Sequence, residues 1–196
     1  MRRTRVGIWI ALVCTLAACG GSSGSGSTAS IKLATAEIKN SDLPNGYLLT
    51  VTMLVPRYTA RIEASGFQLG CTTPQSVTAG SWKEGLIQIA QSLQPANIFE
   101  ECGFTLKGSG DPSTVYQDVL RVSVPSYMQQ VQASTIGDES FLAALKPTKQ
   151  VHGQAYELIF RHGNAVIALF HSVTGTAPLT ITQFYQLGKR INGRIK

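Results

Sequence analysis

Three histidines, two pairs of adjacent carboxylates and one serine set among glycines are the residues of this chain that could carry chemistry. His152, His162 and His171 are of a type that ligates zinc or moves protons, but no H-E-x-x-H or similar spacing joins them. His162 falls at an expected turn tip and His171 at the end of an expected strand. Each is therefore read as a surface or sheet-edge residue, and a zinc site would require the fold to gather all three. Glu100-Glu101 and Asp138-Glu139 are sequence neighbours. Adjacent strand residues point opposite ways, so neither pair is by position a general acid–base couple. Gly137-Asp138-Glu139-Ser140 could form a polar or cation-binding loop. The preferred reading is helix capping, with Asp138 or Ser140 satisfying amides ahead of Phe141–Leu145. Gly20-Gly21-Ser22-Ser23-Gly24 matches G-x-S-x-G, but a nucleophile elbow needs a strand before it and a helix after it. An apolar leader and more Gly/Ser flank this one. No Walker loop or dinucleotide fingerprint is present. The expectation is a non-catalytic protein with no metal and no cofactor.

The elements that would position these residues begin with Ile31–Glu37, a short strand or a first helical turn. Asp42-Leu43-Pro44-Asn45-Gly46 is a turn, because Pro presets φ and Asn-Gly accepts positive φ. Tyr47–Val55, rich in β-formers, predicts a buried strand. Tyr58–Ser65 has the spacing of a short helix ended by Gly66. Ser81-Trp82-Lys83-Glu84 is a capping box, and Trp82, Leu86, Ile89, Ala90 and Leu93 then share one helical face before Pro95. Phe104–Lys107 and Val119–Val124 read as strands, and Ser126–Ala133 as a short helix after Pro125. Tyr156–Arg161 and Ala165–Phe170 form a hairpin about His162-Gly163-Asn164. Ile181, Phe184, Leu187, Ile191 and Ile195 make the stripe of a last helix within Thr180–Lys196. Together they predict an α+β fold, an antiparallel sheet packed against several helices, in a single domain over 31–196.

The front end has a different character. Arg2, Arg3 and Arg5 precede an apolar run from Val6 to Ala18, which is shorter than the roughly 18–20 residues of a membrane span. The run closes on Leu16-Ala17-Ala18-Cys19. This resembles the lipobox of bacterial lipoproteins. The resemblance implies that 1–18 is a cleaved signal peptide, that the Cys19 sulfur takes a diacylglyceryl group, and that its new amine takes a further acyl chain such as palmitate. Each buried methylene contributes about 0.8 kcal/mol, so two or three chains hold where one would not. Gly20–Ser30 reads as a Gly/Ser linker with an r.m.s. reach of about 17–20 Å. Residues 19–30 thus join anchor to domain.

The chain has 17 Lys+Arg against 11 Asp+Glu. Losing residues 1–18 removes three arginines and leaves 14 against 11, which takes away the main support for nucleic-acid binding. The remaining excess sits at Lys189, Arg190, Arg194 and Lys196. Two readings apply: a patch attracted to anionic lipid or envelope polymer, or, preferred, the solvated end of a helix whose cations complement its dipole. The lipobox resemblance also implies export to an oxidising compartment. With Cys14 removed and Cys19 acylated, Cys71 and Cys102 remain as an even pair, expected to form a disulfide.

Asp42-Leu43-Pro44-x-Gly46, Ala64-Ser65-Gly66-Phe67, Ile136-Gly137-Asp138-Glu139-Ser140 and Phe160-Arg161-His162-Gly163-Asn164, followed by a terminal helix, occur in this order. The arrangement is similar to bacterial surface lipoproteins and extracytoplasmic sensor-type domains, across most of residues 42–195. It implies an α+β fold with a cleft, held at the cell membrane or cell surface on its extracytoplasmic face through Cys19. The expected role is binding a small or lipidic ligand or an envelope protein. The alternatives are a structural envelope protein without a ligand and, third, an envelope-acting hydrolase.

Overall fold

The hairpin expected around Gly163 forms the centre on which the whole sheet is assembled. The structure, a computed structural model, describes residues 31–55, 82–92, 97–106, 111–124, 126–146, 153–173 and 179–196. Two short 3-10 turns, Leu33–Thr35 and Asn40–Asp42, lead into β1 (Tyr47–Val55). There follow β2 (Trp82–Ser92), β3 (Asn97–Leu106), α1 (Pro112–Ser123), β4 (Met128–Gln130), β5 (Glu139–Leu145), β6 (Gln154–His162), β7 (Ala165–Val173) and α2 (Ile181–Arg194). The seven strands make one antiparallel sheet in the order β1-β2-β3-β7-β6-β5-β4. It is two meanders sharing the β3–β7 seam.

Each face of the sheet has its own helix. Phe184, Leu187 and Ile191 of α2 pack on Leu158 and Phe160 of β6 and on Ile167 and Leu169 of β7, joined by Phe99 of β3 and Leu86 of β2. Leu33, Ala36 and Ile38 of the N-terminal segment complete this larger core. Gly188 lets α2 lie against Leu158, since a Cβ there would collide with that side chain. On the other face, Val115, Tyr116 and Val119 of α1 cover Ile159 and Val166. Both β6 and β7 are therefore buried on both sides, which is why Leu158–Phe160 and Ala165–Ile167 are uninterrupted apolar runs.

The α+β expectation, with several helices, is overturned. Among the described residues there is a single seven-stranded antiparallel sheet and two α-helices, so strand outweighs helix. Three of the expected helices account for the difference. The segment from Trp82 is β2, with Gly85 to Ala90 all buried between β1 and β3. An apolar run buried on both faces matches helical spacing by coincidence, and pairing on two sides overrides the local capping signal. Phe141–Leu145 belongs to β5, and Ser126–Ala133 contains the edge strand β4. Conversely Val119–Val124, expected as a strand, is mostly the end of α1. That helix starts at Asp111, whose carboxylate accepts from the Ser113 and Thr114 amides at 3.1 and 3.2 Å, with Pro112 next. The strand at 47–55, the hairpin and the final helix occur as expected. Tyr58–Ser65 lies outside the described residues.

Candidate functional site

At the end of the sheet where β6 turns into β7, one arginine gathers two carboxylates. Arg161 donates from Nε to Glu139 Oε1 at 2.7 Å and from Nη1 to Asp138 Oδ2 at 2.9 Å. Its Nη1 also donates to the Gly163 carbonyl at 2.9 Å, and the Gly163 amide donates to Asp138 Oδ2 at 2.7 Å. Gln117 of α1 reaches Glu139 Oε2 at 3.4 Å. A hydrogen bond from Ser113, then the Arg161 guanidinium, holds the Glu139 carboxyl below its usual value against the pull of burial. Asp138 and Ser140 therefore do not cap a helix, as the sequence had led us to expect. Asp138 fastens the hairpin turn, and the Ser140 hydroxyl accepts from the Ile136 amide at 2.9 Å.

Beside this cluster lies an open depression of about 360 Å³, between Tyr116, Gln117 and Leu120 of α1 and the chain running from Thr135 to Phe141. Its wall is rich in acceptors, suited to a ligand bringing N–H or O–H groups. Burial pushes the Tyr116 hydroxyl up to about 12, so it stays protonated and can donate. The geometry depends on Gly137, which has φ near 63° with Arg161 O where a Cβ would sit. Gly137→Ala is expected to cost about 1–3 kcal/mol of folding stability, measured by urea denaturation. A cost under about 0.5 kcal/mol would show that the loop adapts freely.

The opposite end of the sheet holds two buried groups that ionise. His171 is completely buried, ringed by Tyr47, Phe99, Tyr156 and Phe184 at centroid distances of 5.7–6.3 Å. Its Nε2 shares a hydrogen bond with the Tyr47 hydroxyl at 2.9 Å, while Nδ1 has no partner among the described residues. Burial drives its pKa down to about 4. The expected sheet-edge role is thus corrected, because β7 is a central strand. On the far face, Glu157 is 5% exposed, opposite Ala143 and Phe170, with Oε2 unpartnered among the described residues. Burial pushes its carboxyl up to about 8. The signal for Glu157 in the sequence is a lone carboxylate between Tyr156 and Leu158-Ile159-Phe160, which is not among the candidate residues named above.

The histidines are not brought together among the described residues. His162 closes β6, with Nδ1 2.9 Å from Asn192 Oδ1, and His171 lies at the other end of β7. His152 lies outside the described residues. No group of three His, Cys, Asp or Glu able to hold a metal occurs among the described residues. Glu100 and Glu101 sit in β3, their backbones opposite Ile89 and Gln88. Cys102 is in β3, opposite Ile87 and Ala168, whereas Cys71 and Cys19 lie outside the described residues.

The C-terminal cations are partly engaged within the fold. Arg194 donates to Asp42 Oδ2 at 2.8 Å and to the Glu37 carbonyl at 2.8 Å, and Arg190 lies 3.5 Å from Asp42 Oδ1. The Lys32 amide donates to the Lys196 carbonyl at 3.4 Å. No family model matches the chain, and no curated protein matches it.

Proposed function

We propose that this protein is a lipid-anchored, extracytoplasmic domain that acts by binding rather than by catalysis, displaying an interaction surface away from the membrane. The observation that carries the reading is the opposition of two ends. The Gly/Ser linker enters at Ile31, beside Gly163 and the clasped C-terminus. At the other end, about 25 Å along the strands at 3.3 Å per residue, Leu48, Gln91 and Ile98 pair across β1, β2 and β3. Leu48 is 58% and Ile98 38% exposed, and β1 is an edge strand of this sheet. Two exposed apolar side chains flanking Gln91 beside an edge suit a protein partner that pairs with the strand. The Arg161 cluster also favours binding over catalysis, since both carboxylates are ion-paired to Arg161.

In this reading Cys19 carries the lipid, the lipobox supplies the signal for it, and Cys71 and Cys102 form a disulfide. Metabolic labelling with a palmitate analogue in a bacterial host is expected to mark the wild-type chain and to leave Cys19→Ser unlabelled. Equal labelling of both would overturn the anchor. A photo-crosslinker at Leu48 should capture a discrete envelope component that one at Gln129 does not, and the interaction surface fails if the two behave alike.

A further inference from the structure

We propose that the tether end of the domain docks directly on anionic lipid headgroups, so that the anchor and a basic surface together orient the domain on its bilayer. The inference rests on the anchoring proposed above. Lys32, Lys39, Lys189, Arg190, Arg194 and Lys196 all belong to the N-terminal segment or to the last turns of the chain that clasps it. Against these six cations stand Glu37 and Asp42, a surplus of four counted over side chains. The whole chain after residue 18 has 14 cations and 11 carboxylates, a surplus of three. The positive excess of the mature protein is thus concentrated on the N-terminal segment and on the last turns of α2 that pack beside it.

The pairing within this region favours an outward-facing charge. Asp42 is turned inward, its side chain 8% exposed under Arg190 and Arg194. Lys32, Lys39, Lys189 and Lys196 are exposed. The neighbouring Arg161–Asp138–Glu139 cluster brings one net negative charge to the same end, on the side toward α1. It does not cancel the surplus. A linker reaching about 17–20 Å keeps these lysines close to the surface that holds the acyl chains. The attraction grows within a Debye length of about 8 Å. Each lysine brought to an anionic leaflet strengthens binding roughly fivefold.

Trp82 gives the readout. Trp9 leaves with the signal peptide, so Trp82 is the remaining tryptophan. Its backbone pairs with Leu106, next to Thr105, which pairs with Ala165 beside the β6–β7 turn, so Trp82 lies at the tether end. The acylated full-length mature chain would be placed in vesicles carrying a dansyl lipid, either pure phosphatidylcholine or with 30% phosphatidylglycerol. Energy transfer from Trp82 is expected to be higher on the anionic vesicles. It should fall to the neutral-vesicle value in 0.5 M salt and in the variant K32E/K189E/K196E. Equal transfer on the two vesicles, or a charge-reversed variant that behaves as wild type, would overturn the proposal. So would binding to soluble polyphosphate without any gain on anionic vesicles. If Cys19 carries no lipid, the mass of the protein and its failure to sediment with neutral vesicles show that separately. Sedimentation of the same variants with anionic vesicles then still reads the basic surface.

Discussion

Replacing Glu157 by glutamine is expected to abolish a loss of stability that the wild-type protein suffers as pH rises toward 8. The carboxyl is buried opposite Ala143 and Phe170 with one oxygen unpartnered among the described residues, and burial raises its pKa from 4.5 to about 8. Between those values the folded protein keeps the proton and the unfolded chain has lost it. Folding then takes up a proton, and stability falls with rising pH. The full span corresponds to about 5 kcal/mol, present below pH 4.5 and gone above pH 8. Glutamine cannot ionise and has nearly the same shape. Its NH2 group carries two donors where the neutral carboxyl carries one, which offsets part of the gain. Urea denaturation followed by circular dichroism from pH 4 to 8.5 would measure the effect. An E157Q protein with the wild-type loss between pH 6.5 and 8 would remove Glu157 as its cause.

His171 acts with the opposite sign at lower pH. Its pKa falls from 6.5 to about 4 because the ring is enclosed by Tyr47, Phe99, Tyr156 and Phe184. Between pH 4 and 6.5 the unfolded chain binds a proton that the folded protein refuses, so stability drops as pH falls, by about 3 kcal/mol over the whole window. His171→Gln keeps a group that can meet the Tyr47 hydroxyl and cannot titrate. It is expected to lower stability at neutral pH through imperfect packing while removing the acid slope. In the wild type the two slopes oppose each other between pH 4.5 and 6.5, giving a plateau with decline on either side. Each single variant exposes the slope of the other residue: E157Q should rise from pH 4 to 6.5 and then level, and H171Q should fall from pH 4.5 to 8. A plateau unchanged in H171Q would show that other groups set the acid limb.

These two residues also mark how far the fold could be read without coordinates. The β6–β7 hairpin was legible because Gly163-Asn164 is a local turn signal and the flanking strands carry strong β-formers. The final helix was legible because Thr180 and Gln183 form a reciprocal cap ahead of a regular stripe. β2 was misread for a physical reason: its periodicity disappears when both faces are buried, and its identity then depends on β1 and β3, remote in the chain. The same holds for β5, whose apolar run is short and whose preceding Asp138 and Ser140 serve the hairpin and the Ile136 amide.

Local, chemically self-contained features are legible in the chain alone: the turn glycines Gly46 and Gly163 and the last helix. Each depends on neighbours within a few residues, so no knowledge of the fold is needed to read it. Tertiary structure alone decided which charges are spent and which are free. Asp42 meets Arg194 across 152 positions of chain, and Tyr47 meets His171 across 124. Hydrogen bonds and desolvation act over a few ångströms of space regardless of separation along the chain, so such pairings leave no local pattern to read.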